Sequence, residues 1–497
     1  MRMSIEEAER GVQKAFEEAL AATKRGRRFC KFEAELWARL LALGCALTTL
    51  FLTRAVLRPR AAEYTVGGKR YVLAPTDRRS TDLGTRFGKV QFTRPIGRRV
   101  GAPRAAADLP IDRELGLCGG FSIGVVTMVA RLCAQLAYAT ARDTFEAFCS
   151  WKPSQRAVLR ILDAVGGRAR AFLDQAPPPD DDGEVLVIQV DGKGAPTISS
   201  RERARRARPR RARKGANRRH MQRDRRRDRP RVRRRSGEKS KNAKVAVVGV
   251  LYTLRKMEDG SLDGPLNKRV IATFVSYRAL FEWLHPEAVK RGYGTDRFER
   301  VLFLADGADV IWDLQKEFFP DAEVALDWYH VVEKLWVAGK AIHRVRGKKL
   351  DTWIQKQKGR LLNGSFDAVI TSLGSALDDT PVTGPGNKYR RTVLSKTINY
   401  FEKNRHRMRY GRLRRLDLDI GTGVVEGAVR HVVGMRFDGP GMRWGLDRLE
   451  RVLHLRCVLV NGLWNAFESF IAKENLALAA QPQPARTHDA KPAKRAA

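Results

Sequence analysis

Five short apolar segments between residues 184 and 330 constrain the fold more than any other feature of this 497-residue chain. They have the length and the β-branched composition of strands, and they are EVLVIQVDG (184–192), KVAVVGVLYTL (244–254), KRVIATFVSY (268–277), RVLFLADG (300–307) and AEVALDWYH (322–330). Helical patterns follow the third, fourth and fifth segments, so the order is βββαβαβα. Three strands that meander antiparallel, followed by strands alternating with helices, predict an α/β domain with a mixed sheet covered by helices.

A run of arginines separates the first two strand segments and concentrates the positive charge of the chain. Lys and Arg outnumber Asp and Glu by 95 to 55, which gives a formal charge of +40, and residues 201–235 hold 19 Arg and one Lys against three acids. A segment this charged and this poor in apolar residues is expected to be disordered in the free protein. Cations that neutralise phosphates release counterions, which favours nucleic acid as the partner. The arginines expected to bind it are Arg205, Arg206, Arg210, Arg211, Arg225, Arg226, Arg227, Arg233, Arg234 and Arg235.

Three acids interrupt otherwise apolar segments. Asp191 ends the first strand segment, Asp306 ends the fourth, and Glu426 lies inside the helical pattern VVEGAVRHVV. If the first and fourth strands are neighbours, their carboxyl ends lie side by side, and a helix packed beside them brings Glu426 within reach. Two plainer readings stay open, because Asp-Gly after a strand is a common turn and Glu426 has Arg430 one helical turn later as an ion-pair partner.

Crowded carboxylates repel one another unless divalent cations neutralise them. Oxygen-only ligands with open positions suit Mg²⁺ or Mn²⁺, and two such ions about 3.5 to 4 Å apart activate an attacking oxygen and stabilise a leaving one in phosphodiester chemistry. The three acids therefore predict a two-ion centre that acts on nucleic acid.

Cysteine usage and the N-terminal sequence indicate a cytoplasmic protein with no membrane association. The six cysteines have neither CxxC pairs nor the Cys/His spacing of a zinc site. The first 20 residues form a charged amphipathic pattern unlike a signal peptide. The apolar run from Leu40 to Thr53 has 14 residues, fewer than the roughly 20 that span a bilayer, and is predicted to be a core helix.

The ordered set IQVDG, FLADGADVIWDL, ALDWYHVVEKLW, GTGVVEGAVRHVV and GMRWG resembles the ISKra family of bacterial insertion-sequence transposases, which is allied to the Mutator-like DDE transposases. The resemblance extends over roughly residues 180 to 470. It implies an RNase H-like catalytic fold whose Asp, Asp, Glu triad maps onto Asp191, Asp306 and Glu426, as catalytic residues and as ligands of two Mg²⁺ or Mn²⁺ ions. It also implies double-stranded DNA as partner, both element ends and target, held by a homodimer or higher oligomer at the bacterial nucleoid.

The resemblance also singles out three accessory residues. Asp327 and His330 in DWYH match an acid and histidine of the same relatives, and Asp327 is a rival for the second metal ligand. Asp306 is preferred because the family places its second aspartate after the fourth strand. For His330, a hydrogen bond inside the domain competes with a DNA-contacting or acid/base role. For Trp444 in GMRWG, core packing competes with stacking on an unpaired base.

The PPPDDDG stretch at 177–183 cannot continue a helix and predicts a domain boundary. The expected regions are a mainly helical, DNA-binding N-terminal region (1–176), the first part of the catalytic core (177–345), a helical insertion (346–418), the second part of the core with the catalytic helix (419–476) and a disordered tail (477–497).

Three functions compete at this point. A DDE transposase would cut at the ends of its element and join the freed 3′-hydroxyl to target DNA. An RNase H-like nuclease or resolvase would use the same carboxylates to cut without joining. A noncatalytic DNA-binding protein derived from a transposase would do neither, and the presence of all three acids argues against it.

Overall fold

The computed structural model describes residues 4–24, 28–102, 107–207, 243–344, 347–439 and 442–478. Most of the arginine run lies outside these ranges, so the DNA contacts predicted for Arg210, Arg211, Arg225, Arg226, Arg227, Arg233, Arg234 and Arg235 stay predictions. The chain forms two compact units, one of residues up to Phe172 together with those from Gly462 onward, and one from Leu173 to Asn461. The division predicted from the sequence, into a DNA-binding region, a catalytic core and a helical insertion, stays a prediction.

The first unit combines helices with a three-stranded antiparallel meander, as the sequence pattern predicts. Its elements up to the unit boundary are α1 (Ile5–Ala22), α2 (Phe29–Leu57), β1 (Glu63–Val66), β2 (Lys69–Gly84), β3 (Lys89–Arg99), α3 (Pro110–Glu114), α4 (Ile123–Gln135), α5 (Tyr138–Cys149), α6 (Gln155–Gly166) and α7 (Ala169–Gln175). The strands follow the order β1, β2, β3. A core of Leu52 from α2 with Leu83, Val90, Phe92 and Ile111 joins the long helix to the meander.

Helices α1 and α2 form an antiparallel hairpin. Ser4 and Glu7 make a reciprocal capping box that starts α1, since each side chain accepts a backbone N–H of the other. Ion pairs Glu18–Arg39 and Glu9–Arg54, at 2.6 and 2.7 Å, fix the register of the two helices. The helices are antiparallel, because the lower-numbered residue of α1 pairs with the higher-numbered residue of α2.

The prediction of a short core helix over Leu40–Thr53 was wrong in its extent and its burial. Helix α2 has 29 residues, and in the described part of the chain it is the one helix long and apolar enough to cross a membrane, a test that core helices of soluble proteins also pass. Leu41 and Leu52 are buried, but Leu40, Leu47 and Phe51 are 45, 49 and 53% exposed. Hydropathy alone does not separate buried leucines from exposed ones.

The second unit is built around a mixed five-stranded path in the order β6, β5, β4, β7, β8. Its strands and first helices are β4 (Val185–Ile198), α8 (Ser200–Ala207), β5 (Ala243–Lys256), β6 (Leu262–Thr273), α9 (Tyr277–Lys290), β7 (Arg300–Ala305), α10 (Asp309–Phe318), β8 (Glu323–Leu326) and α11 (Trp328–His343). Strands β4, β5 and β6 pair antiparallel, whereas β4, β7 and β8 pair parallel. In chain order of the strands this is 3-2-1-4-5, an RNase H-like mixed sheet flanked by helices, which confirms the predicted fold class.

The helical insertion follows α11, as predicted, and the chain then returns to the sheet. Its elements are α12 (Lys348–Leu362), α13 (Phe366–Asp378), α14 (Asn387–Asn404), a 3₁₀ turn (Arg405–Arg407) and α15 (Tyr410–Arg415). After it come α16 (Gly423–Val429), a π-helical turn (Arg430–Gly434), α17 (Met435–Phe437), β9 (Trp444–Gly445), α18 (Leu446–Val460) and, in the first unit, α19 (Trp464–Leu478).

Two features depart from the sequence interpretation near β4. Residues 200–207 form helix α8, so the expected disorder is wrong for the first seven residues of the arginine run, although the side chains of Arg205 and Arg206 lie outside the description. The third aspartate of PPPDDDG, Asp182, is buried and accepts hydrogen bonds from Arg291 at 2.7 and 2.5 Å. The segment therefore carries a structural ion pair as well as a chain break.

Candidate active site

Asp191 and Asp306 lie side by side at one edge of the sheet. Strands β4 and β7 pair parallel with Val190 opposite Ala305, and each of these residues is followed directly by one of the two aspartates. Neighbouring strands are about 4.8 Å apart, so the two carboxyl groups start from adjacent backbone positions. The condition that the sequence left open, that the first and fourth strands are neighbours, is met.

Gln189 brings the helix that carries Glu426 to the same edge. Residues two apart on a strand share a face, so Gln189 lies on the face of Asp191. Its fully buried side chain accepts the N–H of Val425 at 2.9 Å, one of the first N–H groups of α16, which have no partner within the helix. Its amide donates to the Tyr252 hydroxyl at 2.9 Å and to the Gly421 carbonyl at 3.3 Å. Glu426, next to Val425, is thereby held beside Asp191.

The electrostatics of Asp191 report the same clustering. Burial raises the pKa of its carboxyl, and the negative charges of Asp306 and Glu426 raise it further, while the Gly192 N–H and His330 oppose the shift. The Gly192 N–H donates to Asp191 at 2.6 Å. Asp306 and Glu426 are therefore both close enough to influence Asp191.

A glycine follows Asp306 because the chain there is closely approached by the insertion. Tyr400 of α14 lies so near that a side chain at Gly307 would collide with its hydroxyl. The Asp306 carboxylate accepts the Ala308 N–H at 3.0 Å, and its carbonyl accepts the Trp312 indole N–H at 2.9 Å. The Asp-Gly pair thus forms a turn, and the same turn presents the aspartate at the sheet edge.

Glu426 is bonded within its own helix rather than to a cation. The hydroxyl of Thr422, one turn earlier, donates to its carboxylate at 3.2 Å. Arg430, the alternative partner, begins the π-helical turn that follows α16. Such turns often occur at functional sites, where they redirect side chains.

Asp327 also ends a strand at this edge, but its carboxylate is already fully engaged. It is completely buried and accepts hydrogen bonds from the Thr422 N–H at 2.8 Å and from the N–H and ring Nδ1 of His330 at 2.9 and 2.6 Å. Burial disfavours its charge, yet the bonds from His330 and Thr422 outweigh that effect and lower its pKa. These contacts give Asp327 a role in fixing the start of α16, and the choice between Asp306 and Asp327 as a metal ligand stays a prediction.

His330 lies at the same edge, bonded to Asp327. The hydrogen bond with Asp327 raises its pKa to about 9, with smaller contributions from the charges of Asp327 and Asp306. The ring is hydrogen-bonded inside the domain, and the side chain is 42% exposed to solvent. A DNA-contacting or acid/base role stays a prediction.

Trp444 is packed in the interior. Its indole is 7% exposed, lies 4.7 Å from the Phe437 ring, carries the Arg436 guanidinium at 4.4 Å and donates to the Phe437 carbonyl at 3.2 Å. In this arrangement its ring faces are covered, which favours core packing over base stacking.

Four residues at the site were not predicted from the sequence. Gln189 and Tyr252 are polar residues inside strands, and the Tyr252 hydroxyl donates to Asp419 at 2.6 Å. Tyr277 and Tyr400 both lie near Asp306. Burial and then the charge of Asp306 raise the pKa of each tyrosine to about 12. A polar residue two positions before a strand-end aspartate was the one available clue, at Gln189.

The donor set suits a hard divalent cation, since all three acids supply carboxylate oxygens and repel one another. Within the described ranges, however, no three Asp, Glu, His or Cys side chains converge on a single metal position. Each carboxylate is instead held by a local donor, from Gly192, Ala308 or Thr422.

A basic cavity of about 730 Å³ lies in the insertion, away from the acids. Its lining includes four arginines, Arg405, Arg409, Arg412 and Arg415, together with His406. Arg405 is paired with Asp367 at 2.7 Å and Arg412 with Glu323 at 3.4 Å. Burial and then the charges of Arg407, Lys316 and Arg409 lower the pKa of His406, which reflects an excess of positive charge there.

Comparison with known proteins shows a distant likeness to solved structures. No family model and no curated protein matches the chain. It is similar to the Drosophila P element transposase strand transfer complex, at 11% sequence identity over 69% of this chain and 92% of that chain, with a TM-score of 0.30. A likeness of this degree carries no argument about chemistry, so function is inferred from the geometry of the site.

Proposed function

We propose that the chain is a DDE transposase of the ISKra type, which cuts phosphodiester bonds at the ends of its element and joins them to target DNA. The observation that carries the proposal is the arrangement of Asp191 and Asp306 on adjacent parallel strands, with the helix of Glu426 held over the same face by Gln189. Neighbouring carboxylates repel one another, and a bound divalent cation would relieve that repulsion.

Asp191, Asp306 and Glu426 would hold two Mg²⁺ or Mn²⁺ ions. Bound there, the ions supply Lewis-acid activation of the attacking oxygen and neutralise charge on the leaving one. Since each carboxylate has a local donor, we expect the Glu426 side chain to exchange its bond with Thr422 for the metal. Asp327 would keep α16 in place during that exchange, and the His330 cation would stand near the scissile phosphate.

The test uses the purified full-length chain with labelled DNA that carries the sequences flanking its own gene, a supercoiled target plasmid, and either Mg²⁺ or EDTA. Metal-dependent nicks at the element ends and labelled strands joined to plasmid are expected. Cuts without joining would assign a nuclease or resolvase instead, and binding without cuts would assign a noncatalytic DNA-binding protein.

Gln189→Leu is expected to lower the cleavage rate about 10- to 100-fold, the usual effect of losing a residue that orients a metal ligand. The change keeps the volume of the side chain but leaves the Val425 N–H and the Tyr252 hydroxyl without this partner. Gln315→Leu is the matched control, because Gln315 is equally buried and donates to the Phe319 carbonyl away from the acids. Equal losses of activity in the two variants would mean that Gln189 acts on stability alone.

The basic cavity is proposed to bind the DNA backbone. Arg409→Ala/Arg415→Ala is expected to weaken DNA binding and to reduce the slope of log affinity against log salt by about 1.8, from 0.9 per phosphate contact. The control is Arg255→Ala/Arg278→Ala, which removes the same charge from exposed residues outside the cavity, paired with Asp181 and Glu317. An unchanged slope in the first variant would place the phosphate contacts elsewhere.

A further inference from the structure

One side of helix α2 carries an exposed apolar stripe with charges at both ends. At 3.6 residues per turn, Phe29, Leu36, Leu40, Leu47 and Phe51 fall within an arc of about 60°. Leu36 is half-buried and the other four are at least 45% exposed. Glu33, Arg54 and Arg58 lie in the same arc, and all three are exposed.

The stripe is not needed for the packing of the first unit. The face of α2 toward the meander is marked by Leu41, Leu52 and Ala55, which are buried. The side toward α1 is marked by the Glu18–Arg39 ion pair. The stripe lies between these two sides, so the hairpin is already fixed when the stripe is left open.

We infer that the stripe binds the same stripe of a second copy of this chain, with the two helices antiparallel. The sequence is self-complementary in that orientation alone. If the two-fold axis passes between residues 43 and 44, positions whose numbers sum to 87 face each other across the pair. The facing pairs are then Leu40 with Leu47, Leu36 with Phe51, Glu33 with Arg54 and Phe29 with Arg58. Every facing pair is apolar, of opposite charge, or a cation against an aromatic ring.

A parallel arrangement fails on charge. It would place Glu33, Arg54 and Arg58 each beside its own copy at the seam, and like charges at such a seam are destabilising. Arg54 also pairs with Glu9 at 2.7 Å but is 56% exposed at its side chain, so it remains accessible to a second carboxylate.

A membrane is a poorer occupant of the stripe than a second copy. Helices that lie on membranes carry Lys and Arg on their polar face, whereas α1, which flanks the stripe, carries Glu6, Glu7, Glu9, Glu17 and Glu18. Crossing a bilayer would also require α2 to leave α1 and the core around Leu52. The same apolar length therefore suits a protein partner.

Sedimentation of the full chain without DNA, after nuclease treatment and in 0.5 M salt, tests the assignment independently of catalysis. At about 10 μM a mass of two 56.0 kDa chains is expected. Leu40→Asp/Leu47→Asp should raise the dimer dissociation constant by more than about 100-fold, as for central apolar residues of an interface. Val382→Asp, at a solvent-exposed apolar residue (75%) in the insertion, should not. A monomeric wild type, or equal effects of the two variants, would overturn the assignment.

Cross-linking tests the orientation in a Cys30→Ser background, because Cys30 is the exposed free cysteine among those described. Mixing the Leu40→Cys and Leu47→Cys proteins under oxidation should give a disulfide-linked dimer, whereas Leu40→Cys alone should give at least 10-fold less. Efficient cross-linking of Leu40→Cys alone would indicate a parallel pair and contradict the proposal. Stripe-dependent binding to neutral phosphatidylcholine vesicles would contradict it as well.

Discussion

Asp306→Asn and Asp191→Asn should each abolish metal-dependent cleavage, with a loss of at least about 10³-fold, equivalent to roughly 4 kcal/mol of transition-state stabilisation. Asparagine keeps the shape of each side chain and still accepts the local backbone N–H, from Ala308 or Gly192. It removes the negative charge that would hold the cations. The measurement is the rate of nicking with Mg²⁺ on DNA that carries the element ends, and Glu426→Gln should behave alike.

Asp309→Asn is the matched control for these variants. Asp309 belongs to the same FLADGADV segment, three residues after Asp306, but it is exposed and pairs with Lys403 at 2.6 Å. Its replacement should leave cleavage intact. DNA affinity should be the same in all four proteins, because the charges that bind phosphate lie elsewhere. Full activity of either Asp191→Asn or Asp306→Asn would remove the proposed reaction.

The catalytic substitutions carry a second signature in stability. The charge of Asp306 raises the pKa of Asp191, so the folded protein without metal contains a repulsion that Asp306→Asn relieves. Thermal unfolding in EDTA should therefore show an equal or higher Tm for Asp306→Asn than for wild type. A clearly lower Tm would give Asp306 a structural role and leave its loss of activity ambiguous.

Asp182→Ala should destabilise the second unit by about 3 to 5 kcal/mol, the cost of breaking a buried ion pair. The side chains of Asp182 and Arg291 are 6 and 1% exposed, and Asp182 also accepts from Thr253 at 2.7 Å and Asn267 at 2.9 Å. Truncation leaves the Arg291 guanidinium buried without its carboxylate. A shift of the urea midpoint without a change in slope would measure the effect.

Neighbouring residues supply the controls for Asp182. Asp181 pairs with Arg255 at the surface, where its side chain is 78% exposed, so Asp181→Ala should cost no more than about 1 kcal/mol. Asp182→Ala/Arg291→Met should recover part of the loss, because the uncompensated charge is gone. If the double variant were no more stable than Asp182→Ala, the ion pair would not be the source of the effect.

The pH dependence of this contribution follows from the lowered pKa of Asp182. Burial alone would raise that pKa, but the hydrogen bonds from Arg291, Asn267 and Thr253 outweigh it. The stabilisation is therefore present above the ordinary value of 3.8 and is lost as the pH falls through the lower folded-state value. The urea midpoint of Asp182→Ala should therefore depend less on pH in that window than the urea midpoint of the wild type.

Local patterns in the sequence were sufficient for the sheet. Alternation and apolar runs marked all five strands, because a strand buried on both faces favours apolar residues in a nearly continuous run, as in VLVI at residues 185–188. The βββαβαβα order then restricted the pairings but left open whether β4 and β7 are neighbours, which the structure shows them to be.

Local sequence patterns could not predict contacts between distant parts of the chain. Gln189 meets Val425 across 236 residues, and Tyr400 reaches Asp306 from an insertion whose position relative to the sheet no local pattern defines. The structural role of Asp182 could not be predicted for the same reason. Three consecutive aspartates after three prolines resemble a solvated linker, and only the structure shows Arg291 beside the third aspartate. In each case the partner decides the role.

Burial of apolar residues was the other uncertain quantity. Leu41 and Leu40 are identical neighbours in α2, yet one is buried and the other is 45% exposed, because only one faces the meander. Trp444 gave equal support to packing and to base stacking for the same reason, and the ring of Phe437 beside it decided the matter.

The order in which the three acids are made has a consequence for the cell. Glu426 follows Asp191 by 426 minus 191, or 235 residues, and Gln189 and Asp327 hold the start of α16 against the sheet. At about 5 to 20 residues per second, a ribosome needs roughly 12 to 47 seconds to add the last acid after the first. During that time the nascent chain already carries its arginine run but has no complete set of carboxylates. If the chain has the proposed function, premature termination before α16 would give a product that binds DNA but lacks the third acid needed to cut it.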